Sequence, residues 1–291
     1  MPTKRTTSGR TEASARRLGW PTVTDFAPGD PPAEALADDH LFAAWAATVA
    51  GELLLQVRAS GLEGRALKDA GDLASHELLM GIFAEHKPDD AVLSEEEHRG
   101  TSGVHDRLTA ERVWIIDPVD GTREYSEPPR EDWAVHVALW ARSGEGPGEL
   151  VAGAVAQPAL GATFHSGRPP VVPARTAPRP RIAVSRTRPP AFVAALAEEI
   201  GADLVPMGSA GAKVISVARD VTDAYVHAGG QYEWDSAAPV AVARAAGLFT
   251  SRVDGSPLRY NQDDVYLPDL VVCRPDLADA ILAHLAEHGT G

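Results

Sequence analysis

Val113-Trp114-Ile115-Ile116-Asp117-Pro118-Val119-Asp120-Gly121-Thr122 changes character at a single residue. Val113 to Ile116 reads as a strand buried on both faces. From Asp117 the chain becomes a polar loop. Pro118 holds Asp117 extended, and Gly121 lets the backbone approach a ligand closely. Two carboxylates in one tight loop repel unless a cation sits between them. Hard oxygen donors select Mg²⁺, Mn²⁺ or Ca²⁺ over zinc. The same residues also suit a polar turn in which Asp117 and Asp120 cap a helix or bend the chain.

Two further acidic segments follow strand-like or helix-start patterns. Ala91-Val92-Leu93 reads as a short strand running into Ser94-Glu95-Glu96-Glu97. Trp234-Asp235-Ser236-Ala237-Ala238 opens an apolar helix. Taken singly, the first is compatible with a solvated charge run and the second with a helix N-cap.

Outward from these segments the chain alternates. A helix is predicted over 38–58, with Leu41, Trp45, Val49, Leu53 and Val57 on one stripe, and a second over 73–85 with Leu78, Leu79, Ile82 and Phe83 inward. Strands follow at 133–140, 151–157 and 162–165. Residues 166–181 hold five prolines and read as a semi-rigid linker. Beyond it come strand 182–185, helix 190–200, strand 203–206, helix 209–218, strand 224–226, helix 236–246, strand 271–273 and helix 275–288. The expected class is α+β / α/β. A tail at 1–35 precedes an N-terminal subdomain at 36–165, and the linker leads to a C-terminal subdomain at 182–291.

Lys and Arg number 27 against 41 Asp and Glu, a net charge of −14. That disfavours an electrostatic grip on a nucleic acid polymer, which needs clustered cations. The lone Cys273 excludes an intramolecular disulfide and a Cys-rich zinc site. No apolar run is expected to span a bilayer, the longest being 41–49, and the cytoplasm is the default location. The ten His show no ligand spacing and are expected at the surface or in packing roles.

In order and separation, Glu95-Glu96, Trp114 to Thr122 and Trp234-Asp-Ser-Ala237 together resemble the inositol-monophosphatase superfamily of metal-dependent, lithium-sensitive phosphatases. The resemblance spans roughly residues 38–290 and implies a layered αβαβα sandwich of two subdomains with the site between them. Arg123-Glu124-Tyr125 after Asp-Gly-Thr, and Gly255 to Asn261, are similar to the 3′(2′),5′-bisphosphate nucleotidase branch, often called CysQ. The absence of an acid around Val226-His227 suits a substrate carrying a second phosphate.

The resemblance implies two or three Mg²⁺, with Mn²⁺ able to substitute and Li⁺ inhibitory. Glu95, Asp117 and the Val119 carbonyl would hold the first ion, and Asp117 would bridge to a second completed by Asp120 and Asp235. Thr122 and Asp72 would orient and deprotonate the attacking water, with Glu95 also in the catalytic set. Gly121, Thr122, Arg123, Ser209, Lys213 and Asp235 would meet the substrate. Asp72 also suits an N-cap, and Lys213 a surface charge. The implied substrate is a small bisphosphate nucleotide, adenosine 3′,5′-bisphosphate or its sulfated form, and a homodimer is admitted. Competing readings are an inositol 1-phosphate or fructose 1,6-bisphosphate phosphatase and a non-catalytic cation-binding module.

Overall fold

The computed structural model describes residues 26–98, 106–144 and 146–290. Residues 1–25 of the expected tail lie outside them. Phe26 already packs on the core, and Ala35 is buried in a short helix, α1 (Ala33–Ala37).

Two long helices form the first layer, α2 (Asp39–Arg58) and α3 (Gly64–His86). Asp38 caps α2, its Oδ1 accepting from His40 N at 2.8 Å and Leu41 N at 3.1 Å. The inward face of α2 is rotated from the expected stripe. Phe42, Ala46, Ala50 and Leu54 are buried beside Val49, Leu53 and Val57, whereas Leu41 and Trp45 are half-buried. Ala43, Ala46, Ala47 and Ala50 are fully buried along this face. By length and composition alone, the 20-residue α2 would be enough to cross a membrane, although Glu52 interrupts its apolar run as the sequence indicates. Its burial against α3 and the first sheet accounts for that composition. Helix α3 begins at Gly64 rather than Leu73. Gly71 does not break it, because the ring of Tyr125 fills the space a Cβ would take.

The first sheet runs β1 (Ala91–Ser94), β2 (Arg112–Asp120), β3 (Ala134–Ala141), β4 (Glu149–Gln157) and β5 (Ala162–His165) in that spatial order. β1 is parallel to β2 and the other pairs are antiparallel. The second sheet contains β6 (Arg181–Ser185), β7 (Asp203–Met207), β8 (Ala224–Tyr232), β9 (Phe249–Ser251) and β10 (Tyr266–Cys273), ordered β7-β6-β8-β10-β9. β9 is a three-residue edge strand, too short to carry a periodicity. Residues 166–180 cross between the sheets without helix or strand.

Three apolar cores separate the layers. One joins α2 and α3 to the first sheet. The middle core holds the other face of that sheet, two helices α7 (Ala210–Ala218) and α8 (Glu233–Ala245), and the near face of the second sheet. The last joins the far face of the second sheet to α6 (Ala191–Ile200) and α9 (Ala278–His288). The result is the expected αβαβα sandwich. β2 serves two cores at once: Val113 and Ile115 face the middle one, Trp114 and Ile116 the first. Helix α8 lies flush on β4 because Gly153 has no Cβ; one built there would be 2.5 Å from Ala241 Cβ.

Candidate metal centre

Strand β2 does not end at Asp117, where the sequence suggests a loop. It continues to Asp120 through a bulge: Asp117 pairs with His136 and Asp120 with Ala134. Side chains three apart on a regular strand point to opposite faces. The one extra residue on β2 restores the face, so both carboxylates look toward α7 and α8. Ser75 Oγ donates to Pro118 O (2.8 Å), and Val119 N donates to Asp117 Oδ1 (3.0 Å), which fixes the bulge.

β1 supplies the next acid. Ser94 is in register with Ile116 in parallel pairing, so Glu95, the first residue of α4 (Glu95–His98), emerges beside Asp117. Asp235 comes from the first turn of α8, where its Oδ2 accepts from Tyr232 N at 2.7 Å. It is the third residue of a helix that begins at Glu233, not the residue preceding one that begins at Ser236. One carboxylate oxygen from each of Asp117, Asp120 and Asp235 lies within 4.8 Å of the others.

The three carboxyls differ electrostatically. Burial, then the charges of Glu95, Asp120 and Asp235, push Asp117 well above the ordinary carboxylate range. Burial and Asp120 raise Asp235 to about 7. Asp120 is buried too, but His136, Ser209 and the Gly211 amide outweigh desolvation and hold it at about 2. Ser209 Oγ donates to Asp120 Oδ2. Ala210 N reaches Oδ1 at 3.1 Å and Gly211 N reaches Oδ2 at 2.6 Å. Asp120 thus caps α7 across the middle layer, where the positive helix end favours its charge. Its Oδ1 keeps a lone pair for a further ligand. Two acids held against their own repulsion beside a third held ionised fit a hard divalent cation. Asp117, Asp120 and Asp235 converge on one point where such an ion would fit, and Glu95 is near enough for its charge to act on Asp117 and Asp235.

A match to the inositol monophosphatase family model covers residues 41–290. The chain belongs to the inositol monophosphatase family. It is similar to proteins named 3′-phosphoadenosine 5′-phosphate phosphatase from Mycobacterium bovis and Mycobacterium leprae. The first is 51% identical over 82% of this chain and 90% of the relative. The second is 49% identical over 86% and 94%. The Escherichia coli K12 protein named 3′(2′),5′-bisphosphate nucleotidase CysQ is 28% identical over 68% and 81%. Among solved structures, an inositol monophosphatase of Staphylococcus aureus superposes with TM-score 0.69 at 22% identity, covering 84% of this chain and 94% of that one. CysQ of Bacteroides thetaiotaomicron gives 0.66 at 25% identity, over 83% and 97%.

Around this family motif the other expected residues take varied positions. Gly121 adopts φ 80 and precedes the single turn α5 (Thr122–Tyr125). A Cβ there would be 2.9 Å from Ser209 Cβ, so the glycine lets the two halves meet. Asp72 is half-buried in the interior of α3 rather than at its start, close enough to Tyr125 to act on its phenol. Arg123 points outward, its side chain 58% exposed and 3.4 Å from Glu127. Ser209 is occupied by Asp120 and by Ala212 N, which donates to its Oγ at 2.9 Å. Lys213 is not a surface charge. It is buried, and its Nζ donates to Gly208 O (3.2 Å) and Ser209 O (2.7 Å).

Sequence reasoning passed over His136, a fully buried histidine. Its Nδ1 is 3.0 Å from Trp234 O and its Nε2 is 3.2 Å from Asp120 Oδ2. Burial opposes its charging, but Asp120 prevails and raises its pKa. The available signal was a single polar residue inside the otherwise apolar strand Ala134–Ala141. Asp132 was missed as well. Its Oδ2 accepts from Gly208 N at 2.5 Å and, with Arg186 bridging Glu124 (2.9 Å) and Glu127 (2.6 Å), clamps the halves beside the site.

Proposed function

We propose that this chain is a Mg²⁺-dependent phosphatase that removes the 3′-phosphate of adenosine 3′,5′-bisphosphate, giving AMP and phosphate, and that it also accepts the 3′-phosphorylated sulfate ester. The observation that carries the reading is the meeting of Asp117, Asp120 and Asp235 from three segments in a relative of 3′-phosphoadenosine 5′-phosphate phosphatases. The finer assignments are Mg²⁺ with Mn²⁺ as substitute, inhibition by Li⁺, and a cytoplasmic location.

Hydrolysis of a phosphate monoester breaks the P–O3′ bond while a water oxygen forms a new bond to phosphorus, and the unaided barrier is very large. Bound divalent cations supply charge stabilisation for the phosphoryl group and acidify the water. The chain's own contribution is placement. Glu95, Asp117, Asp120, Asp235 and the Val119 carbonyl hold the cations. Thr122 orients the water, and Asp72 takes up its proton through the threonine hydroxyl. The backbone at Gly121 and Thr122 and the guanidinium of Arg123 position the phosphates. Lys213, tied to two carbonyls of the loop before α7, holds Gly208 and Ser209 in place.

Phosphate release from a panel of substrates tests the reading. Turnover of the 3′,5′-bisphosphate nucleotide is expected to exceed that of inositol 1-phosphate and fructose 1,6-bisphosphate. The reverse order moves the assignment to a sugar-phosphate phosphatase. In parallel, Asp120→Asn is expected to abolish activity; unchanged turnover would remove the reaction from this centre.

A further inference from the structure

A second group of donors lies in the outermost layer, on the far side of the second sheet from α7 and α8. Glu199 near the end of α6, and His284 and His288 on α9, each offer a ligand atom, and these atoms lie within 4.8 Å of one another. The histidines are four apart on one helix and project from one face. His284 Nδ1 is 2.6 Å from Glu199 Oε2, and His288 Nε2 is 3.5 Å from the same oxygen. The two imidazoles lie 4.6 Å apart, centroid to centroid. His284 is only 2% exposed, yet its Nε2 has no hydrogen-bond partner among the described residues. Nδ1, on the other edge of the ring, is the nitrogen that faces Glu199. Both rings line a cavity of about 590 Å³ together with Phe192, Ala228, Gly229 and Thr290.

We infer that Glu199, His284 and His288 form a binding site for a borderline divalent transition ion such as Zn²⁺, separate from the acidic centre. Imidazole nitrogens select zinc, nickel or copper, where an all-carboxylate set selects Mg²⁺. Two His and one carboxylate make a three-ligand zinc set, with a fourth position left for water, and here the adjoining cavity gives water that access. Zinc bonds of about 2.0–2.2 Å place tetrahedral ligand atoms roughly 3.3 Å apart. The Glu199 carboxylate, which is 50% exposed on one side of the pair, needs only a small outward swing from His284 to admit the ion. The ion would tie α9 to α6 and so fasten the last helix of the chain to the sandwich.

Equilibrium dialysis of the full chain against Zn²⁺, in a large excess of Mg²⁺, tests the site. It is run in the wild type and in the Asp235→Asn background, so that zinc captured by the acidic centre is counted apart. One equivalent of Zn²⁺ is expected to persist in Asp235→Asn and to weaken about a hundredfold in His288→Gln and in Glu199→Gln. Both residues are half-exposed, so these variants keep the zinc-free melting temperature of the wild type. Zn²⁺ is expected to raise that temperature in the wild type and not in His288→Gln. Equal zinc binding by the wild type and both variants overturns the proposal. So does the absence of any equivalent beyond the one lost with Asp235→Asn. Neither outcome bears on the phosphatase reading, which rests on other residues.

Discussion

Gly211 stands against the imidazole of His136, so that a Cβ on it would fall inside the ring's van der Waals surface and 3.0 Å from Asp120 Oδ2. The contact exists because Asp120 caps α7 and draws the helix end onto β3. Gly211→Ala must push His136, Asp120 or the start of α7 aside. Overpacking of this kind costs about 1–3 kcal/mol of stability. The larger effect falls on chemistry, since Asp120 is both helix cap and candidate metal ligand. We expect kcat/KM to drop by about a hundredfold or more, roughly 2.7 kcal/mol, with a melting temperature only a few degrees lower. Steady-state kinetics beside thermal melts check this. An unimpaired enzyme would show that Asp120 can move without consequence.

The acidic motif and its order along the chain were legible because Glu95, Asp120 and Asp235 lie at or next to element ends and Asp117 follows directly on the apolar run Val113–Ile116. The layered fold was legible for the same reason. What the sequence could not show was how Asp117 and Asp120 come to share a face. That depends on a bulge whose partner, His136, lies on another strand. Nor could it show the start of α3, because the packing of Tyr125 against Gly71 joins residues far apart in the chain. The burial of Lys213 was hidden because its partners are backbone carbonyls, which leave no trace in side-chain pattern.

The acidic centre also sets a pH dependence. Asp117 lies well above, and Asp235 at about 7 against, the ordinary aspartate value of 3.8, so in the metal-free fold both bind protons more tightly than in the unfolded chain. Between those values the native state holds more protons than the unfolded one, and stability falls as pH rises through about 7. Burial and mutual repulsion raise both groups, and a bound cation would offset both by favouring the ionised carboxylates. Mg²⁺ is therefore expected to raise the melting temperature more at about pH 8 than at about pH 5.5. Asp117→Asn should stabilise the metal-free protein by roughly 2–4 °C for each kcal/mol relieved, and it should flatten the response to Mg²⁺. Thermal melts across pH with and without Mg²⁺ decide it. A Mg²⁺ effect independent of pH would contradict the account.

Arg123, proposed above to meet the substrate, can be tested apart from stability. Its side chain is 58% exposed and its ion pair with Glu127 is an i,i+4 surface contact. Such pairs contribute at most about 1 kcal/mol. Arg123→Ala is expected to leave the melting temperature within a degree or two. If its guanidinium meets a phosphate of the nucleotide, KM for the bisphosphate should rise about tenfold with kcat little changed. A variant with wild-type KM for the bisphosphate would remove Arg123 from the substrate site.

Asp223 marks where the second sheet depends on one buried charge. It is fully buried and accepts from Arg181 N (2.8 Å), Arg181 Nε (3.1 Å) and Arg274 Nε (2.8 Å). Arg274 is itself nearly buried and also reaches Asp220 and the Pro173 carbonyl (2.7 Å). The carboxylate thereby joins the start of β6, the turn before β8 and the end of β10, and pins part of the 166–180 crossing. Burial alone would raise its pKa, but the two guanidiniums lower it. Its stabilising effect is therefore present at neutral pH and fades only as pH falls through its depressed value. Asp223→Ala leaves Arg274 with less compensation in a buried setting, a loss of about 3–5 kcal/mol. At roughly 2–4 °C per kcal/mol the melting temperature should fall by about 10 °C. Because Asp223 lies outside the acidic centre, the surviving folded protein should keep its KM and its response to Mg²⁺ at low temperature. A fall of less than about 2 °C would mean that Asp220 and the backbone carbonyls suffice to hold Arg274.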